Sequence, residues 1–108
     1  MDKGSLDRIL NETLKRILAV IKPKKVILFG SAARGSMGAN SDIDLLVVVP
    51  SGVHRRQTAQ KIYRNMVGVG FAADIIVVTE EDVERYKDRP GLVIMPAMEE
   101  GRVLYAAA

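Results

Sequence analysis

The sequence predicts a single α/β domain, with a small mixed sheet of about four strands and helices mainly on one face of that sheet. The first observation is length, because 108 residues support one hydrophobic core and leave no room for two domains, so we treat residues 1–108 as one unit. The second is the alternation of short β-branched runs with stretches of helical periodicity. The third is composition: 48% of the residues are hydrophobic and few are aromatic, which indicates a core of Leu, Ile, Val and Met.

The first half of the chain predicts one helix and two strands. Apolar residues recur at helical spacing over residues 6–21, after the capping candidate Ser5 and before Pro23, which ends the helix. Residues 25–29 (KVILF) and 43–49 (IDLLVVV) are apolar, β-branched runs that are typical of strands. The second run is almost continuously apolar, which favours a central place in the sheet. Between the two, residues 32–34 predict a helical turn and residues 36–41 a loop.

The second half predicts three helices and two further strands. A helix is expected over residues 53–67, and the apolar run at 72–78 (AADIIVV) predicts a third strand. Thr79 followed by three acidic residues is a strong helix start, because the hydroxyl caps free N–H groups and the acids suit the helix dipole. That helix should run to about residue 87, another should follow over residues 90–100, and residues 102–105 predict an edge strand.

A glycine and a serine mark the end of the first predicted strand. Gly30 permits a close approach of backbone to a ligand, and the N–H groups of a following helical turn attract phosphate. The hydroxyl of Ser31 can add a hydrogen bond, and Arg34 lies one turn further on. The pattern therefore indicates a site for the terminal phosphates of a triphosphate, although a salt bridge with a neighbour is an equal alternative for Arg34.

Three aspartates provide candidate metal ligands. Asp42 and Asp44 are two residues apart on a strand, so both carboxylates should project from the same face. Two hard cations can lie between such carboxylates and substrate phosphates. Asp74 interrupts an otherwise apolar strand, which is costly unless the carboxylate has a partner. If that strand lies beside the second, Asp74 joins the same face, where it could bind a metal and help to deprotonate an attacking hydroxyl.

The segment FGSAARGSMGANSDIDLLVVV resembles the nucleotidyltransferase superfamily that includes DNA polymerase beta, aminoglycoside nucleotidyltransferases and tRNA CCA-adding enzymes. The shared pattern is Gly-Ser, ten residues, Asp-x-Asp, and a third acid on a later strand. Within that superfamily, the short chain looks like the minimal nucleotidyltransferases of bacteria and archaea. Many of these are encoded beside an all-helical HEPN protein as toxin–antitoxin pairs.

The resemblance implies the nucleotidyltransferase fold and a role for each matching residue. Gly30 and Ser31 would hold the triphosphate, and Asp42 and Asp44 would bind two Mg²⁺ ions, for which Mn²⁺ could substitute. Asp74 would hold the catalytic metal. The implied activity is transfer of AMP from ATP to a hydroxyl, with a tyrosine of a HEPN toxin as acceptor and the chain as antitoxin.

Three other functions stay open at this stage. The chain could neutralise a toxin by complex formation alone, with a vestigial metal site, or it could modify a drug. Nucleic-acid binding would fit the net charge of +3, but the sequence has no evident aromatic stacking platform. No apolar run approaches the length of a membrane span and the N-terminus has no signal-peptide core, so we expect a cytoplasmic protein.

Overall fold

The computed structural model describes residues 3–30, 43–70, 72–89 and 94–107. The predicted helical turn at 32–34 and the loop at 36–41 lie outside these residues. The elements, in chain order, are α1 (Lys3–Val20), β1 (Lys25–Phe29), β2 (Ile43–Val49), α2 (Arg55–Arg64), β3 (Ala73–Thr79), α3 (Glu80–Tyr86), α4 (Ile94–Glu100) and β4 (Arg102–Ala106). Their order is the predicted one. Ser5 is not the cap of the first helix, because the helical backbone begins two residues before it.

The four strands form one mixed sheet in the order β3-β2-β1-β4. Strand β1 is antiparallel to both of its neighbours, β2 and β4, whereas β2 and β3 are parallel. The predicted mixed sheet of about four strands is therefore confirmed. Strand β2 is central, as its apolar run predicted, and six of its seven residues are buried. Its partly exposed residue is Asp44.

Helices pack on both faces of the sheet, in unequal amounts. The odd-numbered residues of β2 belong to a core with α1 and α2, which have 18 and 10 residues. The even-numbered residues Leu46 and Val48 belong to a second core with α3 and α4, which have seven residues each. Most of the helical mass therefore lies on one face, as predicted, but the face that we expected to be open is partly covered. It is covered because β2 is apolar on both faces, and each face must be buried.

Helix α3 begins at the predicted cap. The Thr79 hydroxyl accepts a hydrogen bond from the Asp82 N–H (3.1 Å), and the Asp82 carboxylate accepts one from the Thr79 N–H (3.0 Å), which completes a capping box. Arg55, just after the end of β2, donates a further hydrogen bond to the same carboxylate (3.0 Å). Asp82 thus joins the starts of α2 and α3 at the end of the sheet where β2 and β3 finish.

Among the helices that the structure describes, none is both long enough and apolar enough to cross a membrane.

Asp82→Asn should make the protein less stable at neutral pH and less sensitive to acid. The hydrogen bond from the Thr79 N–H is the main reason that the pKa of Asp82 lies below its ordinary value of 3.8, and Arg55 adds to the effect. A lowered pKa contributes stability that is present above the ordinary pKa and is lost as the pH falls through the folded-state pKa. We expect a loss of about 1 kcal/mol at pH 7, as for other helix caps, and a smaller loss below pH 4. Urea unfolding at several pH values would measure both.

Glu84→Gln is the matched control, because Glu84 is an exposed acid of the same helix that pairs only with Lys87 among the groups described. Its removal should change the free energy of unfolding by less than about 0.5 kcal/mol. The role of Asp82 is disproved if the free energy of unfolding of its variant and that of the control decrease by the same amount as the pH is lowered.

Candidate functional site

One end of the sheet collects the predicted site residues that the structure describes. Because β1 is antiparallel to β2 and β3 is parallel to it, the end of β1 meets the starts of β2 and β3. Gly30 directly follows β1, and Asp44 and Asp74 are the second residues of β2 and β3. The strand pairing therefore brings together three residues that are far apart in the sequence. The other three predicted site residues, Ser31, Arg34 and Asp42, lie outside the described part of the chain.

Asp44 and Asp74 are direct partners across the parallel pair of strands. Neighbouring strands are about 4.8 Å apart, and directly paired residues point to the same face of a sheet. Because side chains alternate along a strand, both carboxylates lie on the face that α3 and α4 partly cover. They lie at the end of that face, before its buried residues begin. Asp44 is half-buried and Asp74 is exposed, so the carboxylate pair opens to solvent at the sheet end.

The register places two carboxylates side by side at the open end of the sheet. Such a pair can offer several oxygen ligands to one cation. Carboxylate oxygens are the ligands that Mg²⁺ and Mn²⁺ prefer, so the donor chemistry fits a hard divalent cation. Within residues 3–30, 43–70, 72–89 and 94–107, no cluster of three metal-binding side chains is present. A third carboxylate would have to come from Asp42, which stays a prediction.

Gly30 is required by its surroundings as well as by its backbone. Its φ angle is +74°, in the left-handed region that side chains disfavour. A Cβ atom at this position would meet the carboxylate of Asp44, with Cγ only 3.3 Å away and Oδ2 closer still. The glycine backbone thus passes directly over one of the candidate metal ligands. The close approach of Gly30 to a bound phosphate, which the sequence pattern predicted, stays a prediction.

Two further polar side chains form hydrogen bonds with the backbone. His54 is exposed and caps α2 through Nδ1, which accepts a hydrogen bond from the Gln57 N–H (3.2 Å). It lies after the end of β2, at the opposite end of the sheet from the aspartates. The hydroxyl of Tyr63 forms hydrogen bonds with the backbone of Ile75, next to Asp74. No sequence signal marks this contact, because it depends on the distance between α2 and β3.

Asp74→Asn should leave the metal-free protein about as stable as the wild type. Asp74 is exposed, and substitution of an exposed side chain usually changes the free energy of unfolding by less than about 0.5 kcal/mol. The same change should weaken Mn²⁺ binding and reduce stabilisation by Mn²⁺, because a bound ligand raises the free energy of unfolding according to its affinity for the folded state. Thermal unfolding with and without millimolar Mn²⁺ would test both effects. Asp88→Asn, an exposed acid beyond α3, should behave as the wild type.

A different result would overturn the metal assignment of the Asp44–Asp74 pair. It would be overturned by a wild-type protein that Mn²⁺ does not stabilise, or by an Asp74→Asn variant that gains as much stability from Mn²⁺ as the wild type.

Gly30→Ala should destabilise the protein by about 1–3 kcal/mol for two reasons. The new methyl group meets the Asp44 carboxylate, and an alanine at this position must adopt a left-handed φ angle. Gly52→Ala separates the two causes, because Gly52 has a φ of +93° and nothing within 4 Å of an added Cβ. We expect the control to lose about 1 kcal/mol from backbone strain alone. Only Gly30→Ala should also weaken Mn²⁺ binding, measured by titration. Equal losses of stability and unchanged Mn²⁺ affinity in both variants would contradict the close contact.

The chain is similar to known proteins in both sequence and fold. Residues 7–104 match the family model described as the nucleotidyltransferase domain. A protein of Methanocaldococcus jannaschii named "putative protein adenylyltransferase" is 38% identical over 69 residues, which cover 62% of this chain and 47% of that protein. The chain therefore matches about half the length of this curated relative.

Solved structures share the fold over most of the chain. A structure described as "a putative nucleotidyltransferase from Sulfolobus solfataricus" has a TM-score of 0.65 at 19% identity and covers 98% of this chain and 90% of its own. A toxin–antitoxin solved with AMP-PNP has a TM-score of 0.56 at 22% identity, with 90% and 73% covered. The toxin–antitoxin MntA-HpeT, with two aspartates changed to glutamate, has a TM-score of 0.51 at 17% identity, with 99% and 75% covered.

The match to the family model spans nearly the whole chain, and the solved neighbours have the same fold. Together with the Gly30, Asp44 and Asp74 arrangement at the sheet end, they identify this chain as a member of the nucleotidyltransferase domain family.

Proposed function

We propose that this chain transfers a nucleoside monophosphate, AMP from ATP, to a hydroxyl acceptor and releases pyrophosphate. The observation that carries the proposal is the direct pairing of Asp44 with Asp74 beside Gly30, in a chain of the nucleotidyltransferase family. Two carboxylates side by side at an open sheet end offer the oxygen ligands with which divalent cations bind a polyphosphate.

The residues divide into those that hold the nucleotide and those that hold metal. Gly30 offers a bare backbone at the end of β1, and Ser31 and Arg34 follow it in the sequence with donors for phosphate oxygens. Asp42, Asp44 and Asp74 would together hold two Mg²⁺ ions, with Mn²⁺ as a substitute. When bound, these ions would neutralise phosphate charge and lower the pKa of the acceptor hydroxyl.

The reaction exchanges one phosphorus–oxygen bond for another. The acceptor oxygen attacks the α-phosphorus, the bond from that phosphorus to the bridging oxygen breaks, and pyrophosphate leaves with the bonding electrons. Asp74, which is exposed at the mouth of the site, is the described carboxylate best placed to accept the hydroxyl proton. Most of the barrier to such a transfer is lowered by positioning and charge neutralisation, to which the paired strands would contribute by fixing the two carboxylates side by side.

We propose a tyrosine of a HEPN toxin as the acceptor and antitoxin action as the biological role. The support is the resemblance to minimal nucleotidyltransferases, the name of the archaeal relative, and the toxin–antitoxin complexes among the structural neighbours. Both proteins of such a pair would meet in the cytoplasm. The second candidate is an antitoxin that neutralises its partner by binding alone, which the toxin–antitoxin neighbours also support.

A transfer assay distinguishes the two candidates. The chain would be incubated with α-labelled ATP and Mg²⁺, with and without the HEPN protein encoded beside it. We expect label on the partner, and a loss of about 10²-fold or more in the Asp42→Asn/Asp44→Asn variant, because it removes electrostatic stabilisation of the transferred phosphate. The single variant Asp88→Asn should retain wild-type transfer.

Toxin neutralisation gives the second measurement. The enzymatic proposal is wrong for this partner if the wild type transfers no label to it and the double variant still binds and neutralises the toxin. The protein then acts by binding. If the variant binds but no longer neutralises, transfer is the mechanism.

A further inference from the structure

Strand β3 is an edge of the sheet on the described part of the chain. It pairs with β2 on one side, and α2 lies along its other side. Edge strands carry outward-pointing N–H and C=O groups without a strand partner, so their backbone is held less firmly than that of a central strand. Asp74 is on this strand, and its distance from Asp44 depends on where the edge backbone lies.

Tyr63 of α2 holds the outer edge of β3 next to Asp74. The Ile75 N–H donates a hydrogen bond to the Tyr63 hydroxyl (2.8 Å), and the hydroxyl in turn donates to the Ile75 carbonyl (3.4 Å). One hydroxyl thus satisfies the outward N–H and C=O of a single edge residue, much as a neighbouring strand would. The second bond is near the upper limit of hydrogen-bond length, so the first is the stronger contact.

The side chain of Ile75 adds a second restraint at the same place. It is 6% exposed and packs in the core with α1 and α2, on the face opposite to Asp74. Consecutive residues of a strand point to opposite faces, so a backbone fixed at Ile75 sets the direction in which Asp74 projects. Tyr63 itself is 43% exposed, so its ring is not a core residue, and its hydrogen bonds to Ile75 are its main described contact with β3.

We infer that Tyr63 is a positioning residue, which holds the edge of β3 so that the Asp74 carboxylate stays in register with Asp44 for metal binding. The inference rests on the proposed function, because it assigns Tyr63 to the same site. Tyr63 acts through the backbone and touches neither metal nor substrate. Its contribution should therefore appear in metal affinity and depend on the presence of Asp74.

The test compares the Mn²⁺ affinity of the wild type, Tyr63→Phe and Tyr105→Phe, measured by electron paramagnetic resonance of free Mn²⁺ in the presence of AMP-PNP. Tyr63→Phe keeps the ring and removes the hydroxyl. Groups that orient metal ligands contribute about 10–100-fold to affinity, and a contact through backbone should lie at the lower end, so we expect about a tenfold loss. Tyr105→Phe makes the same chemical change on β4, at the other edge of the sheet, and should bind as the wild type.

A double-mutant cycle shows whether Tyr63 acts through Asp74. In an Asp74→Asn background, where the carboxylate that Tyr63 orients is gone, Tyr63→Phe should cause no further loss of Mn²⁺ affinity. Amide hydrogen exchange of Ile75 adds a readout independent of metal, and we expect faster exchange in Tyr63→Phe than in Tyr105→Phe.

Each outcome decides the inference. Unchanged Mn²⁺ affinity in Tyr63→Phe, together with wild-type binding, would overturn the positioning role and leave the proposed function intact. A lower melting temperature of Tyr63→Phe with unchanged Mn²⁺ affinity would show that Tyr63 only stabilises the sheet edge. That result would also overturn the positioning role. If neither the wild type nor Tyr105→Phe binds Mn²⁺, the proposed function fails and the inference fails with it.

Discussion

The change from antiparallel to parallel pairing at β2 is the constraint on which the site depends. An antiparallel neighbour ends where β2 begins, and a parallel neighbour begins there. Only a central strand with one neighbour of each kind brings a strand end and two strand starts to one place. Gly30 then lies against Asp44, and Asp44 lies beside Asp74.

The same strand explains why Asp44 is held in place. Six of the seven residues of β2 are buried, alternately in the core of α1 and α2 and in the core of α3 and α4. A shift of one residue in the register of β2 would exchange the side chains that fill these two cores and would turn Asp44 to the opposite face of the sheet. Asp44 is therefore held by the core, and the β3 edge is the part of the site that needs a further restraint. Tyr63 supplies one next to Asp74.

Local patterns were sufficient to predict the elements, and through-space relations were not. The strand at β2, its central place and the Thr79 cap follow from runs and caps that a short window contains, and the structure confirms them. The parallel register of Asp44 and Asp74 was only conditional in the sequence, because nothing local says which strands are neighbours. The hydroxyl of Tyr63 reaches a residue of β3 that lies twelve positions further along the chain, and no periodicity encodes such a contact. Asp42, Ser31 and Arg34 keep their assigned roles as predictions.

The Asp44–Asp74 pair conflicts with the rules that govern the rest of the sheet. Elsewhere in β2 every residue is buried and apolar, whereas this pair opposes two like charges at direct partner positions. Sequences are locally consistent with their folds except where function requires otherwise, so two carboxylates at the head of an apolar strand pair point to a functional site. Carboxylate oxygens suit divalent cations, and a bound cation is the reason that we propose for the pair. A cation that binds only the folded state adds to its stability, so metal binding and folding would be linked at this end of the sheet.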